Sequence, residues 1–275
     1  MMIREHLNYE ENIIDSFRLF ANSQYEMRYS HPLYFPEAGI VKQIFQSICD
    51  DEQWAKWRNS SGKDDPPPDY YNSELELMME VMRVNDNEHV DESTGKLINP
   101  IRARESELIQ ELMGKGFLDA LSPNGQIMIT ANTKLPTDED HNYIFYRDNF
   151  IRIIEKHKKK IPSYRQNHPG FRTIFFVHDE SSMYVKLENG YSKKTFSSKR
   201  DIAIEQLHKW WLDEAFMNSI VNSEIDFLIW ATPYKQLLLE DGIDSELPGV
   251  CIFDIKNMKI RTEIYKERRM VSTEP

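Results

Sequence analysis

Cysteine is nearly absent from this chain of 275 residues, which has only Cys49 and Cys251. Two cysteines cannot build a disulfide framework, no C-x-x-C occurs, and both sit among apolar neighbours, so they read as buried reduced thiols. Glycine is scarce too, ten in all, and with it the loops that cradle phosphates. No G-x-G-x-x-G, Walker sequence, G-x-S-x-G or H-E-x-x-H is present, which disfavours Rossmann dehydrogenase, ATPase, α/β-hydrolase and zincin chemistry. Apolar runs are short, FLIWA at 227–231 being typical, far below the about 20 residues of a bilayer helix. The opening MMIREHLNYEEN has no apolar signal core. The expectation is a cytoplasmic protein without membrane association. Positive charge is also in deficit: 34 Lys and Arg stand against 45 Asp and Glu, a formal net charge of -11. That opposes broad binding to nucleic acid, which depends on phosphate neutralisation.

What the chain does have is aromatic bulk, 12% of its residues, enough to fill a substantial core. Helical spacing of Ile13, Ile14, Phe17 and Phe20 predicts a helix over 10–22, and PEAGIVKQIFQSI predicts a second starting at Pro36. The loop RNSSGKDDPPP leads into LELMMEVMRV at 75–84, read as a strand with two apolar faces. Asn99-Pro100 opens a helix, Asn124-Gly125 signals a turn before a strand at 126–130, and a helix spans about 142–160, stopping at Pro162. IFFV is a strand, Asn189-Gly190 predicts a hairpin of 183–188 with 191–196, and KRDIAIEQLHKWWLDEAFMNSIV reads as a helix of about twenty residues. DFLIW and VCIFDIK read as strands and the tail KERRMVSTEP as frayed. Strands alternating with helices, interrupted by hairpins, predict an α/β or α+β fold: one mixed sheet packed with helices. No linker divides the chain, so 1–275 is expected to be one domain, with residues 1–60 as its helical cap.

Several positions stand out chemically. Glu80 lies amid methionine and valine, and a buried carboxylate requires an ion pair, a retained proton or a cation. Asp69 lies eleven positions upstream; if adjacent strands brought the two together, they would offer hard oxygen ligands suited to Mg²⁺. A second set is Asp226, Asp254 and Lys256, the last two sharing a strand face. HDESS places His178, Asp179 and Glu180 at a strand end, where the turn reading competes with acid–base chemistry. Glu205 and His208 form an isolated E-x-x-H, read as helix surface. Residues 152–172 carry seven basic side chains against one acidic one. Lys158, Lys159, Lys160 and Arg165 are the candidate nucleic-acid contacts there, against the simpler reading of a solvated helix end.

Pro68-Asp69 followed by Glu80 on a strand resembles the PD-(D/E)xK, or restriction-endonuclease-like, nuclease superfamily over about fifty residues. The resemblance implies a Mg²⁺-dependent phosphodiester hydrolase with Asp69 and Glu80 as metal ligands, and a helical Glu, here Glu37, as a further one. It also implies a lysine two positions after the acidic residue; this chain has Met82 there, and Arg83 next to it points to the other strand face, so catalysis itself is in question. The set Asp226, Asp254, Lys256 matches the motif letters better but leaves too little chain after it for the helix and strand the family expects. The alternative function is a non-catalytic module that meets a protein partner.

Overall fold

The protein is described from a computed structural model, which covers residues 9–26, 39–60, 67–91, 93–115, 141–187, 204–232, 235, 247, 249–259 and 261–273. The elements in chain order are α1 (Tyr9–Glu26), α2 (Ile40–Cys49), α3 (Asp51–Trp54), β1 (Arg58–Asn59), β2 (Tyr70–Asn72), β3 (Leu77–Val84), β4 (His89–Val90), β5 (Leu97–Ile98) and α4 (Pro100–Gly114). They continue with α5 (Tyr143–Lys158), α6 (Ile161–Asn167), β6 (Arg172–Asp179), β7 (Tyr184–Leu187), β8 (Ile204–Leu207), a 3-10 turn (Trp210–Leu212), α7 (Glu214–Ile220), β9 (Phe227–Ala231), β10 (Val250–Asp254), a second 3-10 turn (Glu267–Arg269) and β11 (Met270–Ser272).

Among the described residues the main sheet has six strands in the order β1-β2-β3-β6-β9-β10. β3, β6 and β9 run parallel, while β2 and β10 are antiparallel to their neighbours. The sheet is mixed and packed with helices, as the alternation of elements predicts. A smaller sheet, β11-β7-β8, and the β4–β5 hairpin complete the β structure described.

Burial on both sheet faces is written into β3. Leu77, Met79 and Val81 face one layer, where Ile14 and Phe17 of α1 and Ile44 and Ile48 of α2 pack with Ile174 and Phe176 of β6. Met78, Met82 and Val84 face the other, with Tyr146, Phe150 and Ile154 of α5, Phe216 of α7 and Trp230 of β9. A strand covered on both sides reads as a continuous apolar run rather than an alternating one. Glu80 shares the face of Met78 and Met82 by strand parity.

Two expectations are corrected. The helix over KRDIAIEQLHKWWLDEAFMNSIV is β8, a 3-10 turn and the short α7 in its described part. Its aromatic residues are buried as the helical spacing implied, but β8 pairs with β7 and His208 donates its backbone N–H to Tyr184, so tertiary pairing outweighs local preference. The tail is not frayed: β11 pairs with β7, with Met270 and Ser272 buried. The polar stretch after β3 contains the β4–β5 hairpin. The helix expected over about 142–160 is α5, which ends at Lys158, and Pro162 sits in the first turn of the separate helix α6, where its missing N–H is not needed. The strands expected at 126–130 and 191–196, and the start of the second helix at Pro36, lie outside the described residues.

Candidate functional site

Asp69 immediately precedes β2, whose first residue, Tyr70, is paired with Met79, the residue before Glu80 in β3. One Asp69 oxygen, Oδ2, accepts the backbone N–H of Val81 at 2.7 Å, so the side chain is anchored where the β2 ladder ends. The approach to Asp69 is stiffened by Ser60, which donates its N–H to the Asp69 carbonyl and its hydroxyl to Pro68, and by Asn167, whose amide donates to Pro67.

Glu80 is 3% exposed. Its Oε1 lies 2.6 Å from Nδ1 of His157 and 3.3 Å from Nζ of Lys160. Both come from the junction where α5 ends and α6 begins, one helical turn apart on the face turned to the sheet. The other oxygen, Oε2, has no hydrogen-bond partner among the described residues, and neither has the buried hydroxyl of Tyr164. Tyr164 faces Glu80 closely enough to influence its ionisation without a well-formed hydrogen bond.

Burial pushes Glu80 towards protonation, but His157 and Lys160 outweigh it and hold the carboxyl below its ordinary value. Asp69 goes the other way, pushed up to about 8 by burial, then by the negative charges of Glu80 and Glu10, against the opposing Val81 N–H and Lys160. Glu10, on α1, is near enough to raise Asp69 by its charge, and Glu37, the further ligand that the resemblance implies, lies outside the described residues. Met82, two positions after Glu80, is buried under α5, so an ammonium there would meet core rather than solvent.

Among the described residues no group of three or more His, Cys, Asp or Glu is arranged to hold a metal ion. Mg²⁺ does not require one: it is commonly held by one or two carboxylates, keeping waters and substrate phosphate in its other positions. Asp69 and Glu80 are two neighbouring carboxylates, and Glu80 Oε2 has no hydrogen-bond partner among the described residues.

The second set is not brought together. Asp254 lies opposite Phe227, so its neighbour Asp226 belongs to the other face. Asp226 accepts the Thr173 N–H at 2.8 Å, Asp254 accepts from Asn257, and Lys256 donates to the Ser223 carbonyl at 2.5 Å, each completing local backbone structure. Of the basic candidates, Lys158 bonds Glu155 and the Ser219 carbonyl and Arg165 bonds Glu224, while Lys159 is exposed and Lys160 reaches Glu80. His178 and Asp179 alternate across β6. His178 is buried with its Nε2 3.7 Å from Glu180, which Arg83 also engages. Asp179 is fully buried and accepts from Tyr146, Trp230, Lys235 and Ser181. Nearby, Asp86 accepts from Ser182 and Tyr184 and contacts His141. These two aspartates stitch the carboxyl ends of β3, β6 and β9 to α5 and β7. His208 does not belong to a helical E-x-x-H; it is buried after β8 with Nε2 2.9 Å from Asp213, beneath a cleft of about 610 Å³ lined by Arg147, Tyr265 and Arg268.

Sequence reasoning missed His157, Tyr164 and Glu10, and read Lys160 as a nucleic-acid contact rather than a partner of Glu80. His157, Lys160 and Tyr164 stand at i, i+3 and i+7, and they reach one carboxylate's surroundings because α6 follows α5 directly after the turn at 159–160. No family model, curated protein or solved structure matches this chain.

Proposed function

We propose that the chain is a Mg²⁺-dependent phosphodiester hydrolase of the nuclease-like kind, with Asp69 and Glu80 as metal ligands and Lys160 in the role that the resembled family gives to the lysine after the acidic residue. The observation that carries this reading is the closeness of Asp69, at the start of β2, to Glu80 of β3, with Lys160 of the α5–α6 junction reaching Glu80. Further support comes from the order of elements: helix α1 precedes the two strands, and β3 is followed by helices and by β6, parallel and adjacent to it, the succession that the resemblance implies.

A bound Mg²⁺ supplies polarisation of a phosphoryl oxygen and a more acidic water. The chain's own part is to hold and orient. Val81 N–H fixes one oxygen of Asp69, leaving the other for a ligand. Lys160 is half outside the protein, its side chain 44% exposed, and can turn its charge from Glu80 to an incoming phosphate without crossing core. His157 is more deeply set and keeps Glu80 oriented. Thermal unfolding with Mg²⁺ or Mn²⁺ tests the reading: a cation that binds the folded state alone raises the midpoint. The rise is expected in the natural chain and absent in Asp69→Asn and Glu80→Gln, with metal-dependent cleavage of a labelled DNA following the same order. No rise at millimolar metal sinks it.

A protein-interaction role has one observation in its favour. Val90, Leu97 and Ile98 on the β4–β5 hairpin are 53%, 47% and 37% exposed, an apolar tip of the kind that partners cover.

A further inference from the structure

We propose that helix α4 is a self-association surface, on which a second copy of this chain lies antiparallel about a twofold axis; this rests on the interaction role noted above and is independent of the metal site. No described residue between Glu88 and Lys115 is buried. Of the seven large apolar residues described as exposed, four, Val90, Leu97, Ile98 and Ile109, fall in this one stretch. On α4 itself Ile101, Leu108 and Leu112, at i, i+7 and i+11, make an apolar stripe with Ile109 beside it, and the three are only half-buried. The root of the preceding hairpin is fixed to the body: His89 stacks on Phe145 of α5 with ring centroids 4.5 Å apart, and Arg152 bonds Glu88 at 3.0 Å. A helix of 15 residues is marginal alone and depends on packing an apolar face, and among the described residues α4 lacks that packing.

Charge selects a second copy as the occupant. Two chains of net charge -11 repel each other and meet at least cost where that excess is absent. Residues 89–115 hold four basic and five acidic side chains, so a strongly basic or strongly acidic partner finds no excess of opposite charge here. The order of charges along α4 is also self-complementary. Arg104 lies in its N-terminal half and Glu111 in its last turn, and α4 has no acidic residue in the first turn and no basic one in the last, an order that leaves the helix macrodipole uncompensated. An antiparallel copy reverses it. With the two Leu108 residues at the axis, each Arg104 lies beside the partner's Glu111, and each helix end meets the opposite pole of its neighbour. Within one chain Arg104 reaches Glu107 at 2.8 Å and Glu111 at 3.5 Å with 34% of its side chain exposed, which leaves it accessible to the second helix.

Sedimentation velocity over about 1–100 μM chain tests the surface. The natural chain is expected to show a monomer–dimer equilibrium within that range. Arg104→Glu and Glu111→Arg each set like charges against one another across the axis, and each is expected to weaken the dimer by about tenfold or more, with circular dichroism confirming that the variants are folded. Mixed in equal amounts, the two variants are complementary at both contacts and are expected to associate with each other as the natural chain does. A change confined to the helix of one chain cannot produce that recovery, because neither variant repairs the other within a single molecule. Ile109→Ser, an exposed position beside the axis, is expected to weaken the dimer as well. A natural chain that stays monomeric up to about 100 μM overturns the proposal and leaves the hairpin tip to a different protein. A dimer that survives both charge reversals, or variants that do not recover on mixing, overturns this surface and this orientation. The metal titration reads separately, since loss of association leaves Asp69 and Glu80 unchanged.

Discussion

Glu80 has two oxygens in unlike situations: one is held by His157 and Lys160, and the other is buried without a partner. The nearby Tyr164 hydroxyl is equally unpartnered. Removing that hydroxyl in Tyr164→Phe therefore forfeits no formed hydrogen bond, and the urea midpoint is expected to stay within about 0.5 kcal/mol of the natural chain or rise slightly. A loss of about 1–2 kcal/mol would mean that the phenol is bonded after all. His178 gives a residue-scale pH prediction. Burial lowers it from 6.5 to about 4, with Asp179 opposing and Arg83 assisting. The unfolded chain then takes up a proton as pH falls below 6.5 while the folded chain does not. This contribution is whole above 6.5 and is lost progressively down to about 4. His178→Gln is expected to flatten stability across that window, read from denaturant midpoints at several pH values.

At the scale of elements, strand β6 and the segment after β9 are tied by a buried charge pair. Lys235 lies 2.7 Å from Asp179, which is fully buried. Lys235→Met leaves that carboxylate with neutral donors only, and a loss of about 3–5 kcal/mol is expected from thermal or urea unfolding, the usual consequence of stranding one member of a buried pair. The three-stranded β11-β7-β8 sheet makes a similar point about topology. The chain's last described strand pairs at the sheet edge with β7, far back in the chain, so its place could not be read from its own residues. Local signals did locate α1, most of α2, β3, α4, α5, β6, β9 and β10, because each carries an apolar period or run of its own. They failed between 204 and 220, where buried aromatics at helical intervals belong to a strand, a turn and a short helix in succession.

At the scale of the molecule, one sheet separates two apolar layers that share its strands. Phe17 closes one layer, edge-on to Phe176 at 4.8 Å, and Phe216 closes the other, stacked on Phe150 at 4.7 Å. Since β3 and β6 contribute to both, the layers are not independent. Phe17→Ala and Phe216→Ala are each expected to cost about 3–5 kcal/mol and to lower one common transition, with far-ultraviolet dichroism and tryptophan fluorescence coinciding. Two separate transitions would show that the helices over residues 9–57 fold as a unit apart.

By itself the sequence determined which segments are apolar enough to be buried, that they form helices and strands in a mixed α/β order, and that Glu80 requires compensation, since a carboxylate inside a doubly covered strand has no access to water. It also set Asp69 eleven positions before Glu80, leaving open whether adjacent strands brought the two together. Only the tertiary structure decided what compensates: His157 and Lys160 lie nearly eighty residues away, and their contact with Glu80 depends on how α5 and α6 lie across β3. The same packing divided the basic stretch, turning Lys158 and Arg165 to acidic and carbonyl partners and leaving Lys156 and Lys159 outside. Charge along a helix is visible in a sequence, but the direction it faces is set by what the helix covers.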